Sequence, residues 1–167
     1  MKTKKATART ANDIASLFLV QVLAQEKQRI LRRLELLAEA NKAGDEELAN
    51  SSLDMIGMVC VLGDVRGTIS AKQWNWVRKV ANQEHLRPSH GDCIVSFKGC
   101  EVGFWSYSWP TEPQTTMHYT LDPAVVQAYM GIPADVLACA AARCLEDDDG
   151  RPVNRWMMRK QQGAVKG

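Results

Sequence analysis

The sequence is short of the patterns that chemistry usually needs. It has three histidines and no Cys-x-x-Cys or similar spacing to bring four zinc ligands together. The nearest approach is His90 with Cys93, with His85 close by, and Cys93 is expected on the inward side of a strand. That position also argues against a thiol nucleophile built from Cys93, His90 and Asp92, because a catalytic cysteine is partly exposed in electropositive surroundings. Gly63-x-x-x-Gly67 lacks the lysine and hydroxyl residue of a phosphate-binding loop. Asp147-Asp148-Asp149-Gly150 lacks the alternating oxygen ligands and distant glutamate of a calcium loop, and Arg151 intrudes. Glu101 and His118, both expected on the outer face of a sheet, become an acid–base pair only within a pocket. No run approaches the roughly 20 apolar residues of a membrane span. The basic Met1–Arg9 and the short apolar stretch Leu17–Leu23 lack a signal-peptide cleavage site. The expectation is a non-enzymatic protein without metal or cofactor. Its five cysteines, odd in number, read as buried thiols in the reducing cytoplasm.

What is present is enough apolar residue to build a core: 46% of 167 residues, with 24% charged, fits one ordinary domain. Thr10, Asn12 or Asp13 can cap a helix running to about Asn41, because Ile14, Leu17, Leu23, Ile30, Leu34 and Leu37 recur at three- and four-residue steps. Gly44 and Asp45 stop it and cap a second helix reaching Gly63, antiparallel to the first across a short link. Gly63 and Gly67 are expected to break the chain. Ser70 and Gln73 form a capping box, with Ile69 and Trp74 as its staple, opening a third helix over Ala71–Glu84.

After Pro88 the period becomes two. Cys93, Val95 and Phe97 alternate with Ile94, Ser96 and Lys98, and a turn at Lys98-Gly99 sets Phe97 opposite Cys100, Val95 opposite Val102 and Cys93 opposite Phe104. Trp109–Pro113 interrupts pairing, and Thr115–Leu121 supplies a third strand. Asp122-Pro123 opens a helix ending near Gly131, and Pro133 begins another to about Leu145. Val126–Leu137 resembles a helix-turn-helix, but Ala134, Asp135, Ala138 and Ala142 offer nothing to read bases with. The expected fold is α+β: an antiparallel helix pair plus a third helix, a three-stranded antiparallel meander, and two C-terminal helices. It divides into a basic arm (1–9), one domain (10–150; helical 10–85, meander 92–121, helices 123–146) and a basic tail (151–167).

The net charge of +2 is unevenly placed. Lys2, Lys4, Lys5 and Arg9 at one end, and Arg151, Arg155, Arg159, Lys160 and Lys166 at the other, have no acid among them. Residues 122–150 carry six acids against Arg143 alone. Ends that meet on a domain surface would pool their cations into one patch. Lys72, Arg78 and Lys79 make the third helix basic, with Trp76 at its edge. Trp156 lies between Arg155 and Arg159, and Trp105 and Tyr107 fall on the sheet face opposite the inward set. They stack bases there unless the first helix covers them.

The first expectation is binding of nucleic acid or a nucleoprotein complex through Lys72, Trp76, Arg78, Lys79, Trp105, Tyr107, Arg151, Arg155, Trp156, Arg159 and Lys160. The alternatives are a protein-interaction module using the long helix or the sheet face, and an enzyme acting through His90, Cys93 or His118. If Leu19, Val20, Val22 and Leu31 stay exposed, a homodimer is expected.

Overall fold

The structure is a computed structural model that describes residues 11–83, 89–109, 115–144 and 154–166, with side chains over 13–82, 92–106, 115–144 and 154–160. In chain order the elements are α1 (Ala11–Ala43), α2 (Glu46–Cys60), β1 (Asp64–Thr68), α3 (Ala71–Gln83), β2 (Ser89–Phe97), β3 (Cys100–Trp109), β4 (Thr116–Leu121), α4 (Pro123–Met130), α5 (Ala134–Ala142) and α6 (Arg155–Lys166). The class is α+β as expected, with one strand and one C-terminal helix more than the sequence showed. The strands form one antiparallel sheet in the order β1-β4-β3-β2. Among the described residues no helix is long and apolar enough to cross a membrane.

The local signals act where they were expected. Asp45 accepts the Leu48 N–H at 3.1 Å, and Asp122 accepts the Ala124 N–H at 2.9 Å ahead of Pro123. In the capping box Ser70 N–H donates to Gln73 Oε1 at 2.8 Å and Gln73 N–H to Ser70 Oγ at 3.0 Å.

α1 lies across one face of the sheet. Its Ser16 Oγ accepts the Ser96 N–H of edge strand β2 at 2.9 Å. Ten residues on, Gln25 and Glu26 reach the other edge, β1. Ten residues of helix rise about 15 Å, and three strand spacings measure about 14 Å, so this stretch of α1 matches the sheet in width. Beneath it Val65, Tyr119, Trp105 and Cys93 lie side by side on the four strands, all buried, and the Tyr119 hydroxyl donates to the Ala15 carbonyl at 2.8 Å. The rest of α1 packs on α2.

Three expectations are corrected. The Gly63–Gly67 stretch is not a break but carries β1. Gly63 turns the chain at φ +71°, and Gly67 has no side chain because Gln25 and Val22 of α1 press against its Cα. A glycine in a strand here marks close approach rather than interruption. The hairpin register also holds only at its turn. Phe97 faces Cys100, but a bulge shifts the pairing so that Val95 faces Gly103 and Cys93 faces Trp105. One inserted residue moves every later side chain of β3 to the other face. Trp105 is therefore turned under α1 and Phe104 onto the opposite face. Residues 155–166, expected as part of a tail, form α6, which covers Phe104. Asn154 anchors it, donating to the Leu62 and Leu121 carbonyls and capping the helix through the Met157 N–H.

β1 is an edge strand, and its outward backbone groups are answered by α1. Arg66 N–H donates to Glu26 Oε2 at 3.1 Å, and the Arg66 carbonyl accepts from Arg29. Thr68 N–H donates to Gln25 Oε1 at 2.7 Å, and its carbonyl accepts from Gln21 and Gln25. Polar side chains of a helix thus occupy the place of a fifth strand and close the edge to further pairing.

Candidate nucleic-acid interface

α3 is fixed from below by Trp74, Val77, Val80 and Ala81, all buried in the core shared with α1. Gln73 and Gln21 exchange side-chain hydrogen bonds at 2.7 and 3.2 Å, and Trp76 meets Phe18 edge-on at 6.3 Å. Its other side is an exposed stripe at helical steps, Lys72, Asn75, Lys79 and Asn82, flanked by Trp76 and Arg78. The helix contains no acid. Lys72, Arg78 and Lys79 take part in no ion pair among the described residues. Asn75 and Asn82 were not singled out in the sequence, although their spacing relative to Lys72 and Lys79 places them on this stripe.

Several cations elsewhere are paired with acids. Arg29 pairs with Glu26 at 2.7 Å, Arg32 with Glu35 at 3.0 Å, Arg66 with Asp64 at 3.4 Å and Arg143 with Asp54 at 2.7 Å. On α6, Arg155 pairs with Asp92 and Lys160 stands 3.9 Å from Asp122. Arg155 and Arg159 lie over the Phe104 ring, 5.5 and 5.1 Å from its centroid.

The expected site residues therefore separate. Lys72, Trp76, Arg78 and Lys79 share one exposed face. Trp105 is fully buried under α1, and Trp156, 5% exposed, packs edge-on against Phe104 at 5.4 Å, so neither offers a ring to a base. Arg155, Arg159 and Lys160 sit on the sheet face opposite α1, a different layer from α3. Arg151, the arm 1–9, the 147–150 loop and the Tyr107 and His90 side chains lie outside the described residues. Leu19 and Val22 are buried, while Val20 and Leu31 remain exposed together with Leu17.

The residues weighed for chemistry are not assembled. Burial, reinforced by Asp13, pushes the Cys93 thiol up to about 11, which leaves it protonated and unreactive. Asp92 is taken by Arg155 and by Ser106, whose hydroxyl donates to it at 2.9 Å. His118 bonds Asp64; burial raises the Asp64 carboxyl, but His118 and Arg66 outweigh it and hold the group below its usual range. Ser106 is the β3 partner of His118, so Glu101, five residues along that strand, is about 17 Å away. Among the described residues no three His, Cys, Asp or Glu side chains converge as metal ligands would.

The sequence also gave no sign of a hollow between α1, α2 and the β1 edge, lined by Arg29, Arg66, Met55, Met58 and Val59. These residues come from three separated segments, and only the Met55–Met58 step on α2 hinted at a shared face. No family model, curated protein or solved structure matches this chain.

Proposed function

We propose that this protein binds nucleic acid through the exposed face of α3. The observation that carries the reading is electrostatic: Lys72, Arg78 and Lys79 stand together on a helix without acids and without ion pairs among the described residues. Cations that neutralise phosphates must not already be neutralised, because the affinity comes from the counterions they release. Lys72, Arg78 and Lys79 supply phosphate contacts, and Asn75 and Asn82 supply amides of the kind that pair with base edges. The half-exposed Trp76 offers part of its ring for stacking.

The test is fluorescence anisotropy of labelled single-stranded and duplex oligonucleotides with the full chain at low ionic strength. Replacing Lys72, Arg78 and Lys79 together by alanine is expected to abolish most of the binding. No binding to either form, or undiminished binding by the triple variant, contradicts the reading.

A protein-interaction role is the second reading. It is favoured by Leu17, Val20 and Leu31 of α1, which are exposed on one side of the helix at coiled-coil-like spacing. Sedimentation that shows a monomer at every concentration removes its homodimer form.

A further inference from the structure

The side of α1 opposite its buried face carries apolar residues where a surface helix ordinarily carries polar ones. Leu17, Val20, Ala24, Leu31 and Ala38 are all exposed along it, and Val20, at 56%, is the most exposed large apolar residue among the described ones. Gln28 and Glu35 fill the remaining steps of this ridge. Leu17 is followed by Gln28, and Val20 by Leu31, at a repeat of about eleven residues, or three helical turns, so the ridge runs almost straight along the axis. It needs little supercoiling to keep facing a second helix. That suits a helix already pinned to the sheet through Ser16, Gln25 and Glu26.

The ridge is uneven, and its unevenness selects what can cover it. A straight partner helix has to complement large and small residues at a constant separation of about 8–10 Å. A second copy laid parallel fails: Leu17 abuts Leu17 and Ala24 faces Ala24, crowding alternates with voids, and Glu35 and Lys42 each meet their own charge. Turned antiparallel about an axis between Lys27 and Gln28, the ridge fits itself. Leu17 then lies opposite Ala38 of the other copy and Leu31 opposite Ala24, a large side chain on a small one each time. Val20 lies along the methylenes of Glu35, whose carboxylate stays with Arg32 at 3.0 Å. Asp13 comes opposite Lys42, which takes part in no ion pair among the described residues. All four pairs are symmetric about the one axis, as a two-fold contact requires.

From Asp13 to Lys42 the helix measures about 45 Å, and a facing strip about 10 Å wide gives roughly 900 Å² over two copies. That is the size of a reversible contact rather than a permanent one. The dimer therefore forms and dissociates with concentration.

We propose, on the second reading above of α1 as a protein-interaction helix, that its partner is another copy of this chain, packed antiparallel along the Leu17–Ala38 ridge about a two-fold axis between Lys27 and Gln28.

The test joins sedimentation equilibrium to cysteine cross-linking of the full chain. Monomer is expected to give way to dimer as concentration rises, and Leu31→Glu, an exposed position, to weaken the dimer at least tenfold with an unchanged circular dichroism spectrum. For the register, exposed Cys100 and Cys139 are first replaced by serine. Gln28→Cys, beside the axis, is then expected to link to itself on mild oxidation. Leu17→Cys is expected to link to Ala38→Cys in a mixture of the two variants and not to itself. Monomer at every concentration overturns the proposal together with the homodimer form of the second reading, and leaves the ridge to a different protein. A dimer that ignores Leu31→Glu, in which Gln28→Cys does not link, or in which Leu17→Cys links to itself, overturns the proposal alone.

Discussion

α3 and α6 are both basic helices anchored by one buried tryptophan, Trp74 in the first and Trp156 in the second, yet their cations end in opposite electrical states. Those of α3 stand in solvent without an ion pair among the described residues. Arg155, Arg159 and Lys160 of α6 meet Asp92, Asp122 and the Phe104 ring, supplied by strands and a turn remote in sequence. Counting charge along the chain treats the two alike. Only the fold tells which cations remain for a ligand, because a surface pair with a carboxylate removes most of a cation's field at little gain in stability. The binding face we propose is therefore the helix to which, among the described residues, no carboxylate is brought.

The largest expected effect breaks the comparison at its anchors. Trp156→Ala removes a buried ring packed on Phe104 and should destabilise the protein by about 3–5 kcal/mol in urea denaturation. Trp76→Ala, on the open side of α3, should cost about 1 kcal/mol or less. Equal costs would mean that α6 is not held by its tryptophan.

A smaller effect sharpens the α3 side. Ser70→Ala deletes one half of the capping box and should cost about 1 kcal/mol of stability by the same measurement. No change would show that packing through Trp74 alone sets the start of the helix.

The smallest effect is a chemical silence. Cys93, under α1, should resist alkylation at neutral pH, because its thiolate forms only as the pH nears about 11, whereas exposed Cys100 at the turn of the same hairpin should react at once. Mass spectrometry of the alkylated native protein distinguishes them. Rapid modification of Cys93 would reopen it as a reactive site.

These contrasts also mark what the sequence could show. Ser70 with Gln73, Asp45, and Asp122 before Pro123 were legible because a cap depends on residues two or three positions apart. The bulge in β3 was not, since the alternation of Val102 and Phe104 fits a regular hairpin as well, and packing against α1 and β4 decides between them. β1 was hidden because Gly67 looks like a breaker until Val22 and Gln25 are seen against it. Gln21, Gln25, Glu26 and Arg29 resembled an ordinary solvent face, although they close the sheet edge. Of the candidate site, Lys72, Trp76, Arg78 and Lys79 were readable from helical spacing. The neutralisation of Arg155 was not, because Asp92 lies in another element.

The most direct test of the central claim is the salt dependence of oligonucleotide binding in two variants, one lacking Lys72, Arg78 and Lys79 and one lacking Arg155 and Arg159. Three lost phosphate contacts on duplex DNA should flatten the slope of log affinity against log salt by about 2.7, equivalent to roughly 40-fold between 50 and 200 mM. The α6 variant should keep the wild-type slope. An unchanged slope in the α3 variant, or an equal flattening in the α6 variant, would contradict the account.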